Sequence, residues 1–389
     1  MTLTRKILIV VLVFLGVGLG WLAFIFSHNA ACDPALAPSD NAELMSAVVY
    51  RCYGPPDVLS LEKIEKPAPA DDEVLVKVHA AAANPLDWHY MRGTPYIMRI
   101  DAGFGRPKIT RLGVDFAGTV EAVGKNVTRF RPGDEVFGGR TGSFAEYVTI
   151  REERTLALKP ANLSFEQAAA VPIAAITALQ ALRDKGRIQA GQKVLINGAS
   201  GGVGTFAVQI AKACGAEVTG VCSTRNVELV RSIGADHVVD YTREDFREGA
   251  ERYDVILDNV GDHSMAATRR ALAPNGTLFS NGGGHSPDKL GRVIRAAIAS
   301  MVVRQQARPS VKNNNRADLL ALKELVEAGK VTPVIGGTYS LAQTAEAIGH
   351  VAAGHARGTV VIAVSRPSPA DFGSESTPKV APVAAAAVA

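Results

Sequence analysis

The glycine-rich run at residues 191–204 (GQKVLINGASGGVG) holds the residues of this chain best suited to chemistry. Residues 194–196 have the pattern of a short buried strand, and apolar side chains recur at helical spacing through 203–214. A strand, a glycine turn and a helix in this order predict a site for a dinucleotide pyrophosphate. Small residues let the backbone approach the phosphates, and the N–H groups of the first helical turn point at the negative charge. The glycines are spaced more widely than in the commonest fingerprint, so the motif needs support from its context.

Two residues beyond that helix indicate which dinucleotide binds. Residues 217–222 (EVTGVC) predict a second strand, and Ser223 and Arg225 follow it, where an NAD site usually places Asp or Glu against the ribose hydroxyls. A carboxylate would repel a 2′-phosphate, whereas Ser223 and Arg225 can bind one through charge-assisted hydrogen bonds. The pattern favours NADP(H) over NAD(H). The alternative is that Arg225 is a solvated loop residue.

The rest of this region alternates short apolar runs with helical ones. The alternation predicts a parallel sheet covered by helices on both faces, with the cofactor at the carboxyl ends of the strands. Asn259, directly after one of these strands, is then expected at the edge of the nicotinamide pocket. Strands are predicted at 237–240, 254–258 and 277–280, and helices at 226–233 and 263–272.

Further motifs run through the chain in a fixed order. They are Gly191, Gln192, Leu195, Ala199, Ser200, Gly201, Gly202, Gly204, Gln209 and Lys212, the stretches 82–88, 112–118, 130–136, 142–147 and 258–261, and the GHARG run at 354–358. Together they resemble the quinone oxidoreductase (zeta-crystallin-like) family, in the zinc-independent branch of the medium-chain dehydrogenase/reductase superfamily. Within that family the chain is most similar to the subgroup of the reticulon-4-interacting oxidoreductase and its bacterial relatives. The resemblance covers about residues 45–364.

The resemblance implies an α/β fold with two domains. In the family a GroES-like β-rich domain carries the substrate-facing residues, a Rossmann domain with a doubly wound parallel sheet is inserted, and the last segment returns to the first domain. Short alternating strands with Gly and Pro turns at 45–170 agree with this independently. The expected division is 1–44 as membrane anchor and linker, 45–170 completed by 329–365 as the GroES-like catalytic domain, 171–328 as the Rossmann NADP-binding domain, and 366–389 as a disordered tail.

Alcohol dehydrogenases of the same superfamily use zinc, and their ligand positions are altered here. A catalytic zinc takes about three protein ligands from Cys, His and carboxylates, and a structural zinc usually takes four thiolates. The chain has four cysteines and no C-x-x-C. By the resemblance, Asn84 stands where a ligand Cys is expected and Val114 where a ligand His is expected. No metal is expected.

Without a metal, hydrogen bonds must polarise the substrate while the nicotinamide delivers hydride, which suits quinones, enones and other conjugated carbonyl compounds. The resemblance places Asn84, Asp87 and Tyr90 on the segment facing the nicotinamide. Tyr90 is the candidate proton donor, although His89 matches the family's tyrosine equally well, and Asn84 is the candidate for orienting the carboxamide or the substrate oxygen. The alternative is a loop turn at Asn84 and a helix cap at Asp87.

The resemblance also implies a set of NADPH contacts. The pyrophosphate is expected on Ser200, Gly202 and Val203, within the turn that includes Gly201 and Gly204. The other expected contacts are Ser223 and Arg225 to the 2′-phosphate, Tyr241 on the adenosine side, Asn259 near the nicotinamide ribose, and His355, Ala356 and Arg357 over the cofactor.

The amino terminus departs from the family pattern. Residues 7–26 (ILIVVLVFLGVGLGWLAFIF) are uncharged, and as a helix they would be about 30 Å long, the thickness of a bilayer core. A cleaved secretory signal is the alternative, but its apolar run is usually shorter. The expectation is an uncleaved N-terminal transmembrane helix and a single-pass membrane protein.

The sequence leaves open on which side of the membrane the enzyme domain would lie. Arg5 and Lys6 precede the apolar run, which by the positive-inside rule puts the enzyme outside the cytoplasm. The supply of NADPH favours the cytoplasmic side instead. Translation from Met45, where the sequence resembles the start of soluble relatives, is another alternative.

Composition bounds the remaining classes. A formal charge of +4 over 389 residues does not indicate a nucleic-acid partner, and four unpatterned cysteines indicate no disulfide framework. The sequence predicts a zinc-independent, NADPH-dependent reductase of quinones, enones or related small carbonyl compounds, with a homodimer as a family expectation. Two alternatives stay open, a zinc-free NAD(P)-dependent alcohol dehydrogenase and a non-catalytic NADPH-binding sensor or interaction protein.

Overall fold

Three sheets organise the described part of the protein. The computed structural model describes residues 20–21, 24–34, 37–261, 263–280, 306–309 and 314–364. One sheet has six parallel strands, a second has seven strands that are mostly antiparallel, and a third is an antiparallel pair. The strands are β1 (Leu44–Val49), β2 (Ser60–Glu65), β3 (Glu73–Ala83), β4 (Asp115–Val123), β5 (Glu135–Gly139), β6 (Tyr147–Arg151), β7 (Leu156–Leu158), β8 (Lys193–Asn197), β9 (Glu217–Cys222), β10 (His237–Asp240), β11 (Tyr253–Asp258), β12 (Leu272–Ser280), β13 (Gln306–Pro309), β14 (Ile335–Ser340) and β15 (Thr359–Ala363).

Helices connect these strands. The α-helices are α1 (Pro85–Arg92), α2 (Arg99–Ala102), α3 (Phe165–Ala169), α4 (Pro172–Leu179), α5 (Gly202–Ala213), α6 (Val227–Ser232), α7 (Met265–Arg269), α8 (Arg316–Glu327) and α9 (Thr344–Ala352). A π-helical turn at Gln180–Lys185 extends α4, and 3-10 turns lie at Pro56–Val58, Tyr96–Met98, Thr224–Asn226 and Leu341–Gln343.

The parallel sheet has the strand order β10-β9-β8-β11-β12-β13. Counted along the chain this is 3-2-1-4-5-6, the doubly wound order of dinucleotide-binding domains. Val194, Leu195 and Ile196 of β8 are completely buried, as expected for a central strand covered on both faces. The order reverses between β8 and β11, so their carboxyl ends define the crevice in which such sheets bind ligands.

The last strands of the chain, β14 and β15, belong to the seven-stranded sheet. Its order is β14-β15-β3-β4-β5-β7, with β6 also paired to β3. β15 pairs antiparallel with β3, with Val361 opposite Ala82, so the returning segment lies beside the strand that leads into α1. The residue bounds given above for the domains stay a prediction.

Local sequence explains where α1 begins and ends. Asn84 is extended (φ −123°, ψ 158°) and precedes Pro85, whose fixed φ suits the first helical position. Gly93 ends the helix at φ 60°, and a Cβ there would lie 2.7 Å from the ring of Tyr53. Both the left-handed conformation and the tight contact require glycine.

No helix in the described part of the chain is long and apolar enough to cross a membrane. The predicted N-terminal transmembrane helix was therefore wrong, and so were the membrane partner and the single-pass localisation based on it. Residues 7–19, 22 and 23 of the predicted span lie outside the described residues, as does the predicted tail at 366–389. The described helical turn at 24–27 is short, and Phe26 packs edge-on against Phe104 with ring centroids 5.0 Å apart. Hydropathy summed along the sequence gives no information on such a contact between side chains.

A disulfide joins Cys32 to Cys52. The sequence analysis expected no disulfide framework and did not predict this bond, because cysteines 20 residues apart show no pairing pattern until the fold brings them together. We call residues 28–34 the strap. It also pairs with the main body of the protein through Ala30 N–H, which donates to Gly105 O at 2.9 Å.

Arg99 provides a second attachment for the strap. Its side chain is 1 % exposed, and its guanidinium donates to His28 O at 2.8 Å and to Asn29 Oδ1 at 2.7 Å. The same group lies 4.5 Å from the ring centroid of Tyr53 and 4.8 Å from that of Tyr96. Burial lowers the pKa of Arg99, and the strap supplies two of the acceptors that keep a buried guanidinium hydrogen-bonded.

Candidate functional site

The carboxyl ends of β8 and β11 are joined by hydrogen bonds at the switch point. Asn197 Nδ2 donates to Asp258 Oδ1 at 2.9 Å, and the same oxygen accepts the N–H of Gly261 at 2.9 Å. Asn259 N–H donates to Asn197 O at 3.1 Å. These bonds place Asn259 at the crevice where the sequence predicts a nicotinamide contact.

The glycine turn begins directly after β8. Gly198 has φ +76°, and a Cβ on Gly204 would lie 2.0 Å from Gly198 O, so no other residue fits at Gly204. Gly201 is the extended N-cap of α5. The N–H groups of Gly202, Val203 and Gly204 therefore have no partner within the helix, as is typical of helix N-termini that bind anions.

The segment before β15 lies against this turn. Gly358 N–H donates to Ser200 O at 2.7 Å, and Gly201 forms a parallel bridge with Gly358. Thr359 Oγ1 is buried with no hydrogen-bond partner in the described structure, and it lies 3.5 Å from the Cβ position of Gly202. His355, Ala356 and Arg357 directly precede this contact in the chain, and their predicted place over the cofactor stays a prediction.

A cavity of about 370 Å³ opens beyond β9. It is lined by Ser223, Thr224, Arg225, Tyr241, Thr242 and His355. Arg225 Nη2 donates to His355 O at 3.0 Å, so this cavity lies where the parallel sheet meets the returning segment. Tyr241 is 56 % exposed, which leaves its ring free to stack on an adenine. Four of the six lining residues are predicted cofactor contacts; Thr224 and Thr242 were not predicted.

The carboxylate of Asp240, at the rim of this cavity, already accepts hydrogen bonds from the protein. Asp240 Oδ2 accepts from Thr224 Oγ1 at 2.6 Å, and Asp240 Oδ1 accepts from Thr242 N–H at 3.0 Å. The hydrogen bond from Thr224 and those from Thr242 lower the pKa of Asp240, and Arg243 pairs with it at 3.5 Å. Ser223, and not an acidic residue, follows β9 and lines the cavity.

These features fit NADP(H). The N-terminus of α5 provides N–H donors for a pyrophosphate, and Arg225 provides a guanidinium for a 2′-phosphate. Thr359 Oγ1, a hydroxyl oxygen with a proton to donate, is buried without a hydrogen-bond partner among the described residues. Buried polar atoms of this kind are typical of sites completed by a ligand.

Asn84 lies beside the start of β4. It is 5 % exposed, and its Nδ2 donates to Ala82 O and to Asp115 Oδ2, both at 3.1 Å. Both amide protons are thus used, so Asn84 offers no hydrogen-bond donor to a ligand.

The carboxylate of Asp87 accepts hydrogen bonds from two backbone N–H groups. Its Oδ2 accepts the N–H of Asn84 at 2.8 Å, and its Oδ1 accepts the N–H of Gly113 at 3.0 Å. The carboxylate therefore caps α1, which is the alternative considered for it above, and fixes α1 against the segment before β4.

Tyr90 is partly buried on α1. Burial raises the pKa of its phenol, and the charges of Asp101 and Asp87 raise it further, so the phenol is protonated at neutral pH. The ring of the competing candidate, His89, lies 4.8 Å from that of Trp88.

Asp115 is a central residue of the site that the sequence analysis did not single out. It is completely buried, and its carboxylate accepts the N–H of Ile173 at 3.1 Å as well as the amide of Asn84. It therefore links β4, α4 and the residue before α1. The acidic residue within the otherwise apolar run at 114–118 (VDFAG), at the start of β4, was the available signal.

The donor set does not fit zinc. Val114 has no ligating atom, and the amide nitrogen of Asn84 is turned to Asp115. Among the described residues no group of three or more His, Cys, Asp or Glu side chains could hold a metal ion. No step of the chemistry is assigned to a metal.

The fold and the site define a dinucleotide-dependent oxidoreductase with a Rossmann sheet and a barrel-type partner sheet. Residues 70–161 match the family model described as "Alcohol dehydrogenase GroES-like domain", and residues 233–362 match that described as "Zinc-binding dehydrogenase".

Three similar proteins place the chain more closely. The mitochondrial NAD(P)H oxidoreductase RTN4IP1 of Danio rerio is 36 % identical over 362 residues, covering 82 % of this chain and 92 % of that protein. The chloroplastic NADPH-dependent alkenal/one oxidoreductase of Arabidopsis thaliana is 34 % identical over 333 residues, covering 82 % and 79 %. The structure of the quinone oxidoreductase from Coxiella burnetii has a TM-score of 0.73 at 31 % identity, covering 83 % of this chain and all of that one.

The chain belongs to the quinone oxidoreductase-like family of medium-chain dehydrogenases/reductases. It is an NADP-binding oxidoreductase that acts on a small molecule. The recognition made from the motifs is confirmed, and so are the enzyme class and the cofactor.

Proposed function

We propose that this protein reduces quinones, enones or related conjugated carbonyl compounds with NADPH and without a metal. The observation that carries the proposal is the amide of Asn84, which is hydrogen-bonded to Asp115 at the position where, by the resemblance, zinc-dependent relatives have a ligand Cys. When bound, NADPH supplies the hydride. A proton from the protein or from water completes the reduction, so an enone, NADPH and a proton give the saturated ketone and NADP⁺.

Asn84 orients the nicotinamide. Its two amide protons are used by Ala82 and Asp115, so a contact with the nicotinamide is made through Oδ1, which accepts from the N–H of the carboxamide, a group that a quinone or enone lacks. Asp115 acts through Asn84, because its carboxylate accepts from Nδ2 and so holds the amide of Asn84 in one orientation. Asp87 is a positioning residue that fixes α1 through its two backbone bonds.

Tyr90 is the proton donor. Its raised pKa keeps the phenol protonated at neutral pH, so it can donate a hydrogen bond to the substrate oxygen as negative charge develops there.

The cofactor contacts follow the sequence prediction. The pyrophosphate binds the turn formed by Ser200, Gly201, Gly202, Val203 and Gly204. Ser223 and Arg225 bind the 2′-phosphate, Tyr241 stacks on the adenine, Asn259 reaches the nicotinamide ribose, and His355, Ala356 and Arg357 cover the cofactor.

The test is NADPH consumption by the purified protein with 1,2-quinones, 1,4-quinones, enones and simple aldehydes, with NADH as the cofactor control. We expect turnover of quinones or enones with a marked preference for NADPH. Oxidation of simple alcohols with NADP⁺ at a higher kcat/KM would instead support the alcohol dehydrogenase alternative. Binding of NADPH with no turnover of any substrate would support a sensor.

We also propose a homodimer formed through the edge of the parallel sheet. β13 is the last strand of that sheet in the described structure, and an edge strand has unpaired backbone groups that a second copy can satisfy. Light scattering after size exclusion should give twice the 40.9 kDa mass of one chain. A monomer mass at micromolar concentration would reject the dimer.

A further inference from the structure

Asn226 joins the two phosphate-binding parts of the cofactor site. Its Nδ2 donates to Ser200 Oγ at 3.0 Å and to Ser223 Oγ at 3.2 Å. Ser200 belongs to the glycine turn, whereas Ser223 lines the cavity that contains Arg225. Asn226 is 5 % exposed and Ser200 is 9 % exposed, so water does not easily replace these bonds.

The side chain of Asn226 does not have the role expected from its position. Asn226 is the N-cap of α6, where asparagine normally accepts a hydrogen bond from the first turn, yet it makes no side-chain cap bond. Its amide is used for the two serines instead. Its Oδ1 is buried and has no hydrogen-bond partner in the part of the chain that the structure describes.

The direction of these bonds fixes where the serine protons point. A hydroxyl has one proton to donate and two lone pairs that accept, whereas an amide nitrogen can only donate. Because Asn226 Nδ2 donates to both oxygens, each serine accepts from the amide and its own proton is directed elsewhere. Neither hydroxyl has another hydrogen-bond partner among the described residues. Both protons are therefore available for anionic oxygens.

We infer that Asn226 is a positioning residue for NADP(H), which presents Ser200 as a donor to the pyrophosphate and Ser223 as a donor to the 2′-phosphate. The inference rests on the proposed cofactor contacts of these two serines. It adds a residue that touches neither phosphate. The one amide group of this residue leaves both serine hydroxyls as hydrogen-bond donors to the phosphates.

The test measures equilibrium binding of NADPH, NADH and 2′,5′-ADP to the whole protein by calorimetry, with no substrate present. Asn226→Ala frees both hydroxyls to rotate. We expect the Kd for NADPH to rise about tenfold, because this is the effect of losing one to two modest hydrogen bonds. Asn226→Asp has the same shape but accepts the serine protons, so the Kd should rise further, by about a hundredfold. NADH lacks the 2′-phosphate, so its Kd should rise less than that of 2′,5′-ADP in both variants.

A double-mutant cycle separates positioning from a merely structural role. In a Ser200→Ala/Ser223→Ala background, Asn226→Ala should change the Kd for NADPH less than twofold, because the groups through which it acts are absent. The KM for NADPH should rise with the Kd, whereas kcat at saturating NADPH should change little. Asn162→Ala is the matched control, because the amide of Asn162 donates to Val326 O away from the cofactor site.

Two results would overturn the inference. One is wild-type affinity in Asn226→Ala while the serine variants bind NADPH weakly; the proposed contacts would then stand without Asn226. The other is an equal loss for all three ligands in both backgrounds, which indicates a structural role. Failure of the unmutated protein to bind NADPH at all would reject the proposed function itself, and this outcome is seen before any variant is made.

Discussion

At the scale of single residues, the site depends on buried polar groups whose partners come from distant parts of the chain. Asp115 accepts from Ile173 N–H and from Asn84, and Asp87 accepts from Gly113 N–H. A buried carboxylate is costly unless it is hydrogen-bonded, so these bonds fix the positions of the elements that carry them. Asn84 is held in place before any ligand binds, which is the arrangement that preorganised catalysis requires.

Gly204 should not tolerate a side chain. In Gly204→Ala the new Cβ would lie 2.0 Å from Gly198 O, so the turn must open, and we expect loss of NADPH binding and a decrease of about 2–4 kcal/mol in the free energy of unfolding. Gly349→Ala is the control, because Gly349 lies in α9 with no atom within 4 Å of its Cβ position. That variant should be more stable by about 0.5–1 kcal/mol. Urea unfolding and NADPH titration check both, and equal stability of the two variants would contradict the assignment.

Tyr90 gives a pH-dependent prediction. The phenol donates only when protonated, and because burial raises its pKa above the ordinary value of 10.0, the donor form persists through neutral and mildly alkaline pH. We expect Tyr90 to cause a fall in kcat only at a pH above that at which a free phenol ionises. Tyr90→Phe should lower kcat by about 10²–10⁴-fold. Unchanged turnover in Tyr90→Phe would remove this residue from the mechanism and favour His89 or water as the proton source.

At the scale of elements, the strap holds the segment that follows α1. The strap is bound by the disulfide of Cys32 and Cys52 and by Arg99, which lies at the start of α2. Arg99 Nε also donates to Gly93 O, the residue that ends α1. The strap is thereby connected through one guanidinium to the helix that carries Tyr90.

Reduction of the disulfide should destabilise the protein. A cross-link that closes a loop of this length restricts the unfolded chain and typically contributes about 3 kcal/mol. Calorimetry with and without a thiol reductant should show a lower Tm for the reduced protein. Cys32→Ser/Cys52→Ser should unfold at the reduced Tm in both conditions. A Tm that does not respond to reductant in the unmutated protein would show that this bond is absent or carries no stability.

At the scale of the whole molecule, the cofactor site is shared by two sheets. Arg225 donates to His355 O, and Gly358 N–H donates to Ser200 O, so the returning segment and the parallel sheet are in contact where NADP(H) is proposed to bind. A ligand at this position contacts both parts of the molecule. Its binding energy therefore stabilises their association as well as each part.

NADPH should raise the stability of the whole protein. At a concentration of 100 times Kd the expected increase in the free energy of unfolding is about 2.7 kcal/mol. NADH at the same concentration should give a smaller increase, and Arg225→Ala should remove most of the difference between the two cofactors. Thermal unfolding with each cofactor measures this. An equal shift for NADH and NADPH in the unmutated protein would contradict the assignment of the 2′-phosphate cavity.

The sequence alone determined the features that depend on neighbouring residues. The glycine turn, the strand before it and the helix after it follow from spacing and steric demand over 14 residues, and the structure has β8, Gly198 and α5 in these places. The motif order also identified the family, because each motif preserves a local backbone requirement. Ser223 at the end of β9 indicated the phosphate of NADP for the same reason.

The tertiary structure decided what depends on residues far apart in the chain. The pairing of Cys32 with Cys52, the bond of Asn84 to Asp115 and the contact of Asn226 with Ser200 have no signature at their separations. The apolar run at 7–26 misled for a related reason, because hydropathy sums side chains one at a time and contains no information on their contacts. Local backbone geometry is encoded by adjacent residues, whereas a buried polar contact exists only once the chain has folded around both of its partners.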